Sequence, residues 1–270
     1  RKKNWNEFPL NGAANPIEVM KSLEEVQKNA PINFHISTMY SGIKVGDLDF
    51  LPLYRRCMES TNTLAPSWKI FRRIHRALIL SQYFDYSLSI PGYRAECGVF
   101  RGFSALLTNQ IAKMRNNNWT GENYYLVDSY EGLSQPEIKD AIGFRDEPNG
   151  TQVPLISHQP GAFATPIEYV KEKLKEFPGL QFQKGWIPEV FMHLPDKKWS
   201  FVHIDVDLYR PTIDSLEYFF PRMAKGGIII NDDFSSPLFP GGGSGWTDFF
   251  NKEKKSFIAL DTGQAVYIHE

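Results

Sequence analysis

Cysteine is nearly absent: only Cys57 and Cys97 occur in 270 residues, and neither belongs to a C-x-x-C pair. A disulfide framework is thereby excluded, a thiolate zinc site is not expected, and a reducing, cytoplasmic setting is expected. No stretch approaches the roughly 18 consecutive apolar residues that span a bilayer, so no membrane partner is expected. The opening Arg1-Lys2-Lys3-Asn4-Trp5 lacks a following apolar segment, and no signal peptide is expected. Neither charge sign dominates: 30 basic and 31 acidic residues leave a formal net charge of −1. That balance argues against a chain that wraps nucleic acid. Repeats and low-complexity tracts are missing. What is present is apolar bulk, with 20 Phe, 12 Tyr and 6 Trp and 42% hydrophobic residues. Such a chain buries a sizeable core and is not globally disordered.

Length alone allows one domain or two. The pattern changes at residue 91. Before it, the chain reads as helical with irregular joints. Asn15-Pro16 sets a cap ahead of a proline at the first helical position, and Ile17, Met20, Leu23 and Val26 follow at helical spacing over residues 17 to 29. A mixed, glycine-bearing stretch covers 32 to 49, and a second helix is expected over 67 to 86.

From 91 onward, strands are expected at 93–97, 124–127, 180–183, 199–204 and 227–230. Helices are expected at 104–114, 166–177, 211–223 and 246–254. Segments 257–260 and 265–269, joined around Thr262-Gly263, read as an antiparallel hairpin at the sheet edge. This alternation predicts an α/β fold with a parallel sheet and helices on both faces. Residues 130 to 165 carry few helix or strand signals, and so long a connection reads as a lid or binding loop. The expected organisation is an N-terminal helical cover, 1–90, on a catalytic unit, 91–270.

Three groups of residues stand where strands end. Glu96-Cys97-Gly98-Val99-Phe100-Arg101-Gly102-Phe103-Ser104 follows the first core strand. Its glycines let a ligand approach the backbone. The spacing is E-x-G-x-x-x-G rather than G-x-G-x-x-G, so a cationic amino acid suits it better than a pyrophosphate. A strand-to-helix turn without a ligand explains the same spacing. Asp128 ends the next strand, where an acid accepts the two hydroxyls of a ribose or simply caps a turn.

The third group is His203-Ile204-Asp205-Val206-Asp207 and Asn231-Asp232-Asp233, with Asp205 and Asp232 separated by 27 residues. That interval holds one right-handed crossover, so adjacent parallel strands bring these carboxylates to one edge. Like charges so placed repel unless a cation or protons intervene. Oxygen ligands favour Mg²⁺, with Mn²⁺ or Ca²⁺ as alternatives. Helix capping, notably by Asp207 ahead of Pro211, is the competing explanation. His203 reads as a buried, hydrogen-bonded side chain. Gly241-Gly242-Gly243-Ser244-Gly245 reads as a flexible segment that either closes over a ligand or simply needs positive φ repeatedly.

The run His203-Ile204-Asp205-Val206-Asp207-Leu208-Tyr209-Arg210-Pro211-Thr212 resembles the macrocin O-methyltransferase family. So do Ala95-Glu96-Cys97-Gly98-Val99-Phe100-Arg101-Gly102, Asp128-Ser129-Tyr130-Glu131-Gly132-Leu133 and Gly226-Gly227-Ile228-Ile229-Ile230-Asn231-Asp232-Asp233-Phe234. The resemblance covers roughly residues 75 to 270; before that it is faint, around Thr38-Met39. It implies a Rossmann-like class I methyltransferase sheet with a C-terminal antiparallel hairpin. It implies S-adenosylmethionine as cofactor, held by Glu96, Gly98 and Asp128 with Arg101, Ser104 and Ser129 of the same motifs, and Gly185-Trp186 near the adenine. Asp205, Asp232 and Asp233 are implied as metal ligands, with Asp205 also the base.

The implied partner is a small hydroxylated acceptor, a sugar with a vicinal diol, and a homo-oligomer is expected. Two departures from the family pattern touch the pocket: Gly102-Phe103-Ser104 replaces Gly-Gly-Ser, and Phe234-Ser235 replaces Tyr-Gly. Tyr40, Phe103, Trp186, Tyr209, Phe234 and Trp246 are expected to border the pocket. Two other readings compete. Asp205-Val206-Asp207 is a D-x-D motif that a metal-dependent glycosyltransferase would use, and a catalytically silent relative would only bind.

Overall fold

The computed structural model describes residues 42–63, 70–148 and 150–270. The helix expected at 17–29, its Asn15-Pro16 cap, Thr38-Met39 and Tyr40 lie outside the described residues.

The described chain opens with a short hairpin, β1 (Lys44–Val45) and β2 (Leu48–Asp49), and the helices α1 (Phe50–Ser60) and α2 (Ile70–Ser87). Strand and helix then alternate through β3 (Tyr93–Cys97), α3 (Phe103–Arg115) and β4 (Tyr124–Asp128). A second hairpin, β5 (Gly143–Asp146) and β6 (Gln152–Leu155), precedes α4 (Ile167–Lys173) and β7 (Gln181–Lys184). The chain finishes with β8 (Trp199–Ile204), α5 (Tyr209–Phe219), β9 (Met223–Asn231), α6 (Pro240–Glu253), β10 (Ile258–Ala259) and β11 (Ala265–Ile268).

Seven strands form one sheet in the order β10-β11-β9-β8-β3-β4-β7. Strands β9, β8, β3, β4 and β7 are mutually parallel, while β11 runs antiparallel to β9 and β10 antiparallel to β11. The expected α/β sheet with its edge hairpin is therefore present. Side chains alternate between two faces. Leu126, Phe201, Ile228 and Ile230 pack beneath α1, α2 and α3, and Cys97, Val202, Ile229 and Trp199 pack with Phe219 of α5 and Trp246 of α6. Strand β8 is buried at every position, as a central parallel strand covered on both faces must be. Among the described residues no helix is long and apolar enough to cross a membrane.

Four local outcomes differ from the sequence expectation. Helix α5 ends at Phe219 because Pro221 cannot donate to a continuing helix, so a 3₁₀ turn (Phe220–Arg222) leads into β9, which begins at Met223. Helix α1 begins just after the stretch read as mixed, in a segment for which no individual helix is expected from the sequence; its Pro52 sits in the first turn, where a missing N–H costs nothing. The long 130–165 connection contains a 3₁₀ turn (Ile138–Asp140) and the β5–β6 hairpin.

The glycine run is the fourth. It forms the first turns of α6 and is largely buried, and it is no hinge. A Cβ at Gly241 would come 1.7 Å from Asp140 Oδ1, and one at Gly243 2.0 Å from the Phe234 carbonyl oxygen. These glycines are small so that a helix can press against neighbouring chain.

Both cysteines are buried, and burial pushes the Cys57 thiol up to about 12. A thiolate-directed alkylating reagent should leave the native protein unlabelled and modify both thiols in denaturant, as mass spectrometry would show.

Candidate active site

The carboxyl ends of β4, β3, β8 and β9 lie side by side. The chain leaves β3 toward β4 and returns through β8 on the other side, so the loops after β3 and β8 diverge at a switch point where α/β sheets bind ligands. Glu96 pairs in register with His203, and Ile204 with Asn231. Gly98 closes this edge. Its φ is +85°, and a Cβ there would stand 1.8 Å from the carbonyl oxygen of Asp205. Only a residue without a side chain lets the β3 loop lie this close to the first acid of the β8 loop.

A cavity of about 650 Å³ opens over this edge, lined by the Gly98–Ser104 loop, Asp128, Gly185-Trp186 and the acids after β8 and β9. At one end Asp128 accepts backbone N–H bonds from Val99 (2.7 Å) and Phe100 (3.2 Å) on one oxygen and from Tyr130 (2.6 Å) on the other. A carboxylate offers about four lone-pair sites, so capacity for a further donor remains. The Gly185 N–H bonds the Asp128 carbonyl, setting Trp186, 40% exposed, on the same rim. Arg101 donates to the Asn62 carbonyl at 2.6 Å and lines the cavity.

Glu96 lies one layer down and is fully buried. It accepts from Ser104 Oγ at 2.6 Å and Tyr124 Oη at 3.4 Å. Ser104 therefore reaches the cavity with its hydroxyl already engaged. Ser129 is engaged too, donating to the Gly132 carbonyl and accepting from the Glu131 N–H within its own turn.

The acids gather at the other end. Ligand atoms of Asp205, Asp207 and Asp233 lie within 4.8 Å of one another, and so do those of His203, Asp205 and Asp232. Asp205 belongs to both sets, whereas Asp232 and Asp233 each belong to one. Burial, then Asp232 and Asp233, push the Asp205 carboxyl well above the usual carboxylate range. Burial, then Asp233 and Asp205, do the same to Asp207, which adopts a left-handed backbone.

Asp232 goes the other way. Burial opposes its ionisation, but Arg76 and His203 beside it, with a 2.7 Å bond from Gln264 Nε2, hold it below the usual range. Arg76 of α2 contacts the Asp232 carboxylate and lies 3.7 Å from Asp233. His203 stands 3.6 Å from Glu96 and 3.7 Å from Asp232. Burial works against its charge, yet the flanking acids raise it to about 10, so it is an imidazolium at neutral pH.

Sequence reasoning missed Arg76, and it left the contributions of Asp207 and His203 open. It also misplaced aromatics. Phe103 and Trp186 line the cavity, but Trp246 is fully buried in the core, Phe234 packs on Phe257, and Tyr209 bonds Asp248. The rings at the mouth are Phe100, Phe163 and Phe239, supplied by three separate loops. His158 stacks on Phe239 at 4.8 Å.

A family model described as macrocin-O-methyltransferase (TylF) matches residues 86–264. Among curated proteins, the chain is similar to the 8-demethyl-8-(2,3-dimethoxy-alpha-L-rhamnosyl)-tetracenomycin-C 4'-O-methyltransferase of Streptomyces olivaceus, with 29% identity over 150 residues and 54% of each chain covered. It is similar to the mycinamicin III 3''-O-methyltransferase of Micromonospora griseorubida, with 26% identity over 153 residues, covering 55% of this chain and 57% of the relative. The matches thus span little more than half the length of these relatives. Among solved structures, the calicheamicin methyltransferase CalS11 superposes with a TM-score of 0.60 at 19% identity, covering 96% of this chain and 94% of that one. The O-methyltransferase NovP gives 0.57 at 20% identity, covering 73% and 80%. These two share the fold.

Proposed function

The chain belongs to the macrocin O-methyltransferase family, whose model spans residues 86–264, and from that premise we propose that it is an S-adenosylmethionine-dependent O-methyltransferase acting on a sugar hydroxyl with the help of a divalent cation. One observation carries this reading: a single cavity joins the Gly98 loop and Asp128 to the acids after β8 and β9. Cofactor and acceptor can meet there. The names of the two curated relatives, a rhamnosyl-tetracenomycin 4'-O-methyltransferase and a mycinamicin III 3''-O-methyltransferase, support a sugar acceptor.

The residues suit both groups. Asp128 would take the ribose hydroxyls, Gly98 and Arg101 would border the methionine part, and Gly185-Trp186 would border the adenine. Glu96, being buried, would act by holding Ser104 and His203. For the cation, Asp205, Asp232 and Asp233 supply hard oxygen donors, with Asp207 adjacent. Asp233 Oδ2 is buried without a hydrogen-bond partner among the described residues. Four acids faced by one guanidinium and one imidazolium leave the site short of positive charge, a deficit that Mg²⁺ fits. The segment before residue 91 is proposed as a cover, since Tyr54, Met58 and Arg76 from α1 and α2 wall the cavity.

When bound, S-adenosylmethionine supplies a methyl group on a good leaving group, and the cation supplies charge that acidifies an alcohol. With the cofactor bound to supply the methyl group, Asp205, raised by burial and by its neighbours, would receive the proton of the acceptor hydroxyl. The imidazolium of His203 and the guanidinium of Arg76 keep Asp232 ionised, so the proton goes to Asp205 rather than to its neighbour. Phe100, Phe163 and Phe239 narrow the mouth against water.

The test is transfer of a labelled methyl group to sugar acceptors. We expect transfer that EDTA abolishes and Mg²⁺ restores, together with S-adenosylhomocysteine binding by calorimetry. Transfer indifferent to EDTA would remove the cation from the reading. No S-adenosylhomocysteine binding would remove the methyltransferase itself and favour the D-x-D glycosyltransferase.

A further inference from the structure

Arg72 and Arg73 of α2, both exposed, line the same cavity as the acids, and among the described residues neither forms an ion pair or hydrogen bond with a carboxylate. Among the described residues the Arg72 side chain makes one hydrogen bond, from Nε to the Thr262 carbonyl at 3.3 Å. Its guanidinium rests on the β10–β11 turn, where a Cβ at Gly263 would stand 2.6 Å from Arg72 Nη2 and 2.8 Å from Ser235 Oγ. The arginine is thus oriented, yet among the described residues its remaining N–H donors have no acceptor. Arg73 lies within electrostatic reach of Tyr54, a cavity residue whose buried hydroxyl has no hydrogen-bond partner among the described residues.

Position along the helix sets what these groups can reach. Arg72 stands four residues before Arg76, on the same face and about 6 Å further along the axis. Arg76 touches Asp232. A sugar presenting a hydroxyl to the acids would therefore carry its far substituent, about a pyranose ring away, to Arg72 and Arg73. Beyond the Arg72 Nε bond to Thr262, the two guanidinium forks offer about nine N–H donors, far more than the two oxygens of a carboxylate can use, whereas a phosphate or diphosphate matches them better. A neutral glycoside needs no such cations. An anionic one, entering a cavity lined by five aspartates, does.

We propose that Arg72 and Arg73, with Tyr54, form a phosphate subsite, and that the acceptor is a sugar carrying a phosphate or diphosphate at the end opposite the methylated hydroxyl. This rests on the methyltransferase reading for the identity of the other end.

The test is calorimetry on the Mg²⁺-loaded protein, with and without S-adenosylhomocysteine, using UDP-glucose, glucose 1-phosphate, glucuronic acid and methyl glucoside. At least one phosphorylated probe should bind ten-fold or more tightly than methyl glucoside and glucuronic acid. Tight binding by both phosphorylated probes would identify a sugar phosphate as sufficient; tight binding by UDP-glucose alone would identify a nucleoside diphosphate sugar. The double variant R72Q/R73Q should lose ten-fold or more of that affinity while S-adenosylhomocysteine binds within two-fold of wild type, which also shows that the variant is folded. Equal affinity for the uncharged glycoside or for glucuronic acid would overturn the proposal. So would unchanged phosphate affinity in the variant, or a loss falling on S-adenosylhomocysteine instead. Failure of the wild type to bind S-adenosylhomocysteine would overturn the methyltransferase reading alone, because the arginine-dependent difference is still read in the titrations without it.

Discussion

Replacing Asp205 by Asn is expected to lower methyl transfer by about 10²- to 10⁴-fold, the usual worth of a positioned general base. The amide is nearly isosteric, so the fold and the Gly98 contact with the Asp205 carbonyl persist. It removes the proton acceptor and one of the clustered carboxylates. S-adenosylhomocysteine should still bind within a few-fold of wild type, because Asp128 and the β3 loop are untouched. Single-turnover transfer and calorimetry read the two effects separately. Wild-type transfer by this variant would sink the assignment of Asp205 as base. Asp207→Asn is the informative companion: Asp207 shares a carboxylate set with Asp205 but is given no proton to carry, so its effect should be smaller.

The second large effect is on stability. Gly98→Ala is expected to cost about 1–3 kcal/mol for a side chain at positive φ and about 1–3 kcal/mol more for forced displacement of packed neighbours. The clash is with backbone, 1.8 Å from the Asp205 carbonyl oxygen and 2.6 Å from its carbon, so no rotamer relieves it. A fall in Tm of about 4 °C or more should follow for a chain of this size. Gly102→Ala separates the two contributions. Its φ is also positive, at +82°, but the nearest atom to a new Cβ is Val170 Cγ1 at 3.2 Å, on a side chain that can shift. Thermal melts of both variants should show Gly98→Ala as the more damaging. If Gly102→Ala proved equal to it, the close approach of the β3 loop to Asp205 would not matter to the fold.

Legibility in the sequence followed the range of the interaction. Strands β3 and β8 were readable to the residue because short segments bounded by turn residues, within a strand–loop–helix alternation, are local signals. The meeting of Asp205 with Asp232 and Asp233 was readable because one crossover between parallel strands has one handedness and one outcome. The flexible reading of Gly241 to Gly245 failed because composition alone cannot tell a hinge from a close-packed helix face. What decided it was Asp140 and Phe234, which press against those glycines from other parts of the chain. Trp246 failed as a pocket residue for a related reason: proximity in sequence to the acids says nothing about which side of the sheet its ring takes.

The sequence by itself determined the α/β alternation, the edge hairpin, the scarcity of reactive thiols and the acids at the strand ends, since each follows from period, spacing or count. Only the tertiary structure decided that Arg76 lies against Asp232, 156 residues away, that buried Glu96 and His203 form one line of charge with half-buried Asp232, and that Arg72 and Arg73 line the cavity. No periodicity encodes which cation of a helix faces which acid of a sheet. That pairing is settled by how α2 packs across β8 and β9, where burial makes an unmatched charge costly and so selects the packing that neutralises it.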